Sequence, residues 1–194
     1  MLADRMFRAA MLDSLVFDEI KEDRESMGQA AQVIAIVTAI GVISALVQAL
    51  YAPAEAATDT DFVTNLAFTA ATTIIGWLIW SILAYLIGTG VFGGAASYAE
   101  VLRGIAFAQS PSVITILAIP LVFIPFAGAV LGGILGFVAA LWVLIVNVIA
   151  TRQTLGIGTG KATITTIVIA IVMIVAFIIL SYLLFPEAFE IQST

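Results

Sequence analysis

From Pro111 to Ala150 the chain runs forty residues without one charged side chain. In a helix those residues measure about 60 Å at about 1.5 Å each. That is twice the roughly 30 Å of hydrocarbon in a bilayer. A water-soluble domain has no place for such a segment. The run therefore predicts two membrane crossings, divided near "PFAGAVLGG", with spans at Pro111–Phe126 and Ala129–Ala150. Three further apolar stretches of spanning length follow the same logic, at Ala30–Tyr51, Thr64–Gly88 and Ala162–Phe185.

Composition supports this class. Apolar residues make up 62% of the chain and charged ones 10%, whereas soluble domains carry about 25% charged residues. Transmembrane β-strands would alternate polar and apolar residues over about ten positions, and these runs do not alternate. The expected fold is all-α, a polytopic bundle of five transmembrane helices. It is flanked by a cytoplasmic amphipathic segment, residues 1–27, and a short external tail, residues 186–194, around a membrane domain of residues 28–185. Asp4, Asp13, Asp18 and Glu19 interrupt any apolar signal-peptide core, so the first span is expected to act as its own insertion signal.

Charge placement orients the bundle. Arg5, Arg8, Lys21, Arg24, Arg103, Arg152 and Lys161 all fall before the first span, between the second and third, or between the fourth and fifth. The other connection carries Glu55, Asp59 and Asp61, and the tail carries Glu187 and Glu190, with no cation in either. Because Lys and Arg collect on the cytoplasmic side, the N-terminus is expected inside and the C-terminus outside. The third span is short and holds Pro120 and Pro125. A re-entrant hairpin of the third and fourth spans would satisfy the same charges, but the full crossing is the reading adopted.

The stretch "LGIGTGKA", Leu155–Ala162, superficially resembles a phosphate-binding loop. That motif needs G-x-x-x-x-G-K-[ST] between a strand and a helix. The spacing from Gly156 to Gly160 is one residue short, Ala162 replaces the metal-binding hydroxyl, and a membrane span precedes it. A tight turn anchored by Lys161 is expected instead, with no nucleotide.

The remaining candidates are structural or interactive. With no cysteine and no histidine, the chain lacks thiolate and imidazole chemistry, so no metal, cofactor or conventional catalysis is expected. No ionisable side chain lies at a membrane centre, which argues against a proton relay. Gln48 and Asn147 are polar residues within spans, and Asn147 is expected to bond to a neighbouring helix. Gly128, Gly132, Gly136 and Ala140 form a small-residue ladder suited to close helix packing, within the bundle or between copies. Trp77, Trp80 and Trp142 are expected to pack between helices. Phe7, Met11, Leu12, Leu15, Val16 and Ile20 recur at helical spacing, which fits either an interfacial helix or a helix that docks a partner. In "SYAEVLRGIAFAQSPS", Glu100 and Arg103 share a side of a linker helix, and Ser110 before Pro111 reads as a helix cap.

Three segments, "FDEIKEDRESMGQAAQVI", "YAEVLRGIAFAQSPSVITILAIP" and "TRQTLGIGTGKA", together with five N-inside spans, resemble the Yip (Ypt-interacting protein) family, in its bacterial and archaeal form. Eukaryotic members of that family bind prenylated Rab-type GTPases, and a Gly-Tyr…Pro pattern precedes their third span. Gly104 and Pro111 correspond to that pattern, while Phe107 and Ser110 depart from it. The resemblance implies a non-enzymatic membrane scaffold or adaptor in a prokaryotic cytoplasmic membrane. It would dock unidentified proteins on its cytoplasmic side through a surface including Glu100, Arg103, Phe107 and Pro111, alone, as a homo-oligomer or in a larger complex. The alternatives are a transporter or channel subunit and an accessory subunit of a membrane assembly. No nucleic-acid partner is expected.

Overall fold

The structure, a computed structural model, describes residues 1–51, 62–124 and 126–184. The acidic connection before the second span and the external tail lie outside the described residues. Two short helices open the chain, α1 (Leu2–Ala10) and α2 (Ser14–Glu22). Then come α3 (Ser26–Tyr51), α4 (Phe62–Gly90), α5 (Tyr98–Ala108), a 3-10 helix (Ser110–Phe123), α6 (Ala127–Leu155) and α7 (Thr159–Leu184). Among the described residues, five segments are long and apolar enough to cross a membrane, and α5 with the 3-10 helix forms the third.

The passes run up and down. Gly88 near the end of α4 and Leu155 at the end of α6 touch, and α7 starts four residues later. Ser26, which opens α3, donates to the carbonyl of Ile20, as does Arg103 of α5. One end of the bundle therefore gathers the described cations, and it is called the cation-bearing end below. Large apolar side chains of α6 and α7, including Phe137, Ile145, Ile171 and Phe177, point outward. A surface of that size and apolarity is stable against lipid tails and not against water.

The third pass is the least regular. Ser110, Ser112 and Thr115 donate their hydroxyls to carbonyls three residues back, at Phe107, Gln109 and Ser112. Pro111 and Pro120 each withhold an amide, and Val113, Ile114 and Ile116 crowd an ordinary helix at Cβ. All three effects favour the tighter i to i+3 winding. Such winding rises about 2.0 Å per residue, against about 1.5 Å in an α-helix. Ser110–Phe123 comprises 14 residues. At those rises the segment covers about 28 Å instead of about 21 Å. The extra length suits a full crossing. It lets the pass lie along α6 from Gly104 beside Thr154 to Leu121 beside Gly128. Tyr51 of α3 meets Phe123 edge-on at the far end, with ring centroids 5.1 Å apart.

Ser110 was expected to cap this segment. Its hydroxyl instead points back to Phe107, and the N-cap, Gln109, makes no side-chain cap bond. The capping residue of the third pass is Ser97, whose hydroxyl accepts from the Glu100 amide while the Glu100 carboxylate accepts from the Ser97 amide. Helix formation thus begins at Tyr98, twelve residues before Ser110, and α5 is the buried inner half of the pass, not a linker. It packs against α1, α2, α3, α4 and α6.

Candidate functional site

At the cation-bearing end, residues 1–25 fold onto the bundle as a helix pair. The apolar spacing read as one amphipathic helix is broken at Met11–Asp13. Leu12 has φ of 65°, and the amides of Leu12 and Asp13 bond back to Ala9 and Arg8, closing α1 in the manner usually served by glycine. Leucine in this region costs about 1–2 kcal/mol. Asp13 then caps α2 by accepting from the Leu15 amide at 3.0 Å. The break separates the apolar residues into two sets. Ala9, Val16, Phe17 and Ile20 enter the core, while Phe7, Met11, Leu12 and Leu15 are exposed.

Polar contacts fix the pair in place. Arg8 joins Asp13 at 2.8 Å and Glu19 at 2.7 Å, and Arg5 joins Asp23 at 2.8 Å and Gln29 at 3.0 Å. The bonds to Glu19 and Asp13 hold the Arg8 guanidinium above its ordinary range, and the same bonds hold those two carboxyls below theirs. Arg5 lowers Asp23 likewise. Gln153 of α6 donates to Asp18 at 3.0 Å, and the Trp142 indole donates to the Ala10 carbonyl at 2.8 Å.

Arg103 is the central fastener. It is 5% exposed, and its guanidinium donates to the carbonyls of Ile20 at 3.2 Å and Lys21 at 2.7 Å. These are terminal carbonyls of α2, where the helix dipole and unpaired acceptors favour a cation. Ser26 adds bonds to Ile20 and Asp23. A buried cation is thereby satisfied by backbone oxygens, without a carboxylate among the described residues.

Glu100 is occupied in the cap of α5, and Arg103, Phe107 and Pro111 face other parts of the chain. The four do not form one open surface, because α1 and α2 cover α5. In the small-residue ladder, Gly128 lies against Leu121, but a Cβ at Gly132 or Gly136 would meet nothing within 4 Å, and Ala140 is exposed. Three further close glycine contacts lie outside the ladder. Gly88, Gly94 and Gly104 converge on Thr154 and Leu155 from α4, from the α4–α5 connection and from α5. Gln48 is exposed near the far end of α3. Asn147 is fully buried but donates to Val143 of its own helix, not across helices as expected, and its Oδ1 has no partner. Trp77 does bridge helices, donating to the Leu102 carbonyl at 3.1 Å.

The connections at this end are tied to one another. The Ala95 amide donates to the Leu155 carbonyl at 2.9 Å, and Lys161 reaches the Phe92 carbonyl at 3.2 Å. Gly156 takes φ of 65° to turn α6 into α7, so the glycine-rich stretch is a three-residue turn. Between these ties, Glu22, Arg24, Glu25, Val91 and Lys161 remain exposed. Among the described residues there is no cluster of three or more acidic side chains that could hold a metal. The arrangement offers a preformed face carrying both signs of charge.

A family model described as the Yip1 domain matches residues 13–180 of the chain. No curated protein and no solved structure matches it.

Proposed function

The chain belongs to the Yip1 domain family, and from that premise we propose that this integral, multi-pass membrane protein is a non-enzymatic scaffold or adaptor. It docks partner proteins through the cation-bearing end. By the positive-inside rule that end faces the cytoplasm, most simply that of a prokaryotic cell. One observation carries the reading. The C-terminus of α2 is fastened to α5 through Arg103, and the α4–α5 connection is fastened to the adjoining ends of α6 and α7 through the Ala95–Leu155 bond and Lys161. A surface held this way loses little conformational freedom on binding, so more of the contact energy appears as affinity.

Glu22, Arg24 and Glu25 are exposed on this face and outside the core, so reversing their charge perturbs recognition and leaves folding intact. Deleting the N-terminal pair is a poorer test, because Val16, Phe17 and Ile20 belong to the core. The experiment compares proteins cross-linked in cells to the native chain and to Glu22→Lys, Arg24→Glu and Glu25→Lys. The docking reading expects a defined set of partners lost in the variants at equal membrane abundance. An unchanged set in all three variants refutes it.

A second reading, a transporter or channel subunit, is favoured by one feature. Asn147 Oδ1, Thr151 Oγ1 and Thr166 Oγ1 are buried in apolar helices without partners, and unpaired polar atoms in a membrane interior are costly. Solute flux in proteoliposomes that is abolished by Asn147→Leu supports that reading over docking.

A further inference from the structure

We propose that the α1–α2 pair is an interfacial lipid anchor, whose exposed side chains Phe7, Met11, Leu12 and Leu15 enter the cytoplasmic leaflet of the bilayer that α3–α7 cross. These side chains are 66%, 59%, 42% and 65% exposed, although they surround a single turn. On a surface facing water they would form an unfavourable apolar patch.

Depth identifies the occupant. Arg152 marks the charged level at the end of α6, and Trp142 lies ten residues farther into the bundle, about 15 Å along the helix. The Trp142 indole holds the Ala10 carbonyl at 2.8 Å, so the end of α1 sits well below the level of Arg152. At its other flank α1 packs on the 3-10 helix, which begins beyond α5. The outward side chains of α6 around Trp142 are Val138, Leu141 and Ile145, so the exposed rim of the helix pair continues a lipid-facing surface. Amphipathic helices at an interface bury their apolar face about 5–10 Å into the headgroup and acyl boundary, a depth that fits this placement.

Two local features agree with lipid contact. The charges beside the rim are closed on one another, since Arg8 pairs with both Asp13 and Glu19. Leu12 occupies a left-handed position where glycine or asparagine is unstrained. An apolar side chain there gains an environment only if something apolar covers it. Asp4 also lies 4.0 Å from Arg8, and exposed Glu22 and Glu25 flank exposed Arg24, so no excess of free cations faces the headgroups and attachment does not depend on anionic lipid.

The chain has no cysteine, which permits a direct measurement. Nitroxide labels are placed at Phe7→Cys, Met11→Cys and Leu15→Cys in purified chain, reconstituted into phosphatidylcholine vesicles without any partner. Phe137→Cys on α6 and Glu22→Cys at the α2–α3 turn are references. Lipid insertion gives the three rim labels an oxygen-to-nickel-chelate collision ratio near that of Phe137→Cys and several-fold above that of Glu22→Cys. A ratio like that of Glu22→Cys overturns the proposal. Shielding from both reagents also overturns it and assigns the rim to a second copy of the chain. Because no docking protein is present, the outcome is independent of the docking reading.

Discussion

Replacing Arg103 by Met tests whether the N-terminal pair is a fixed part of the bundle. Methionine retains most of the apolar stem and removes the guanidinium, with its bonds to the carbonyls of Ile20 and Lys21. A hydrogen bond to a charged group contributes about 1.5–3 kcal/mol, which puts an upper limit of about 6 kcal/mol on the pair. Two terms reduce it. Ser26 continues to donate to the Ile20 carbonyl, and the variant no longer pays to desolvate a buried cation. A net loss of about 2–3 kcal/mol raises the open population of α1–α2 roughly 30- to 150-fold. Hydrogen exchange in proteoliposomes reads this directly. Amides of α2 from Phe17 to Glu22 are expected to exchange faster by that factor, while those of α6 from Val143 to Ala150 keep native rates. Arg103→Lys keeps the charge but loses the planar fork, so it should fall between. Unchanged α2 exchange in Arg103→Met would refute the fastening role, and equal acceleration in α6 would mean that Arg103 holds the whole bundle.

Three further outcomes follow from the packing. Gly104→Val forces two methyl groups against Thr154 and is expected to cost about 1–3 kcal/mol, whereas Gly132→Val has open space around it in a single chain; thermal unfolding in detergent should separate the two by several degrees, and equal loss would place Gly132 in an interface. Acidification tests the ion pairs of the helix pair: Glu19, Asp13 and Asp23 sit below their ordinary values of 4.5, 3.8 and 3.8, so their contribution is complete above those values and is lost as the pH falls through the lowered folded ones. Proteolysis within α1 should therefore stay flat at pH values above the ordinary 4.5 of Glu19 and accelerate as the pH falls progressively below it. Asn147→Leu removes a buried carbonyl oxygen that has no partner and keeps a similar volume, so it should be neutral or stabilising in a thermal melt, while Asn147→Asp should cost more than about 2 kcal/mol.

The sequence made the membrane class legible because a bilayer demands one simple property, an uncharged run of sufficient length, and that property is local. Local signals also exist for two features that the apolar periodicity conceals. Ser97 and Glu100 stand at capping-box spacing at the start of α5, and Asp13 before Ser14 is a helix start inside an apolar periodicity. The partners of Arg103 could not be read, since they lie 82 and 83 residues away and are backbone atoms without an identity of their own. The small-residue contacts illustrate a further limit. Gly128 to Ala140 repeat every four residues and so stand out as a ladder, yet two of the rungs touch nothing in the chain. Gly88, Gly94 and Gly104 approach other elements closely as well and share no period, because each comes from a different element.

That convergence has a mechanical consequence. Helices clamped at one end move as levers about the clamp, and the fulcrum here is Thr154–Leu155, whose side chains seat on Gly104 and Gly88 while Gly94 meets the Leu155 carbonyl. From Thr154 to Gly128 the arm of α6 is about 39 Å long. A tilt of about 5° at the fulcrum carries the far tip sideways by about 3 Å. At that tip the Tyr51–Phe123 ring contact is apolar and can slide, whereas Gly128 is held against the Leu121 carbonyl and bonded to Ile124, so the end of the 3-10 helix travels with α6. Small angular play that the clamped end barely registers is thus magnified into displacement on the opposite side of the bilayer.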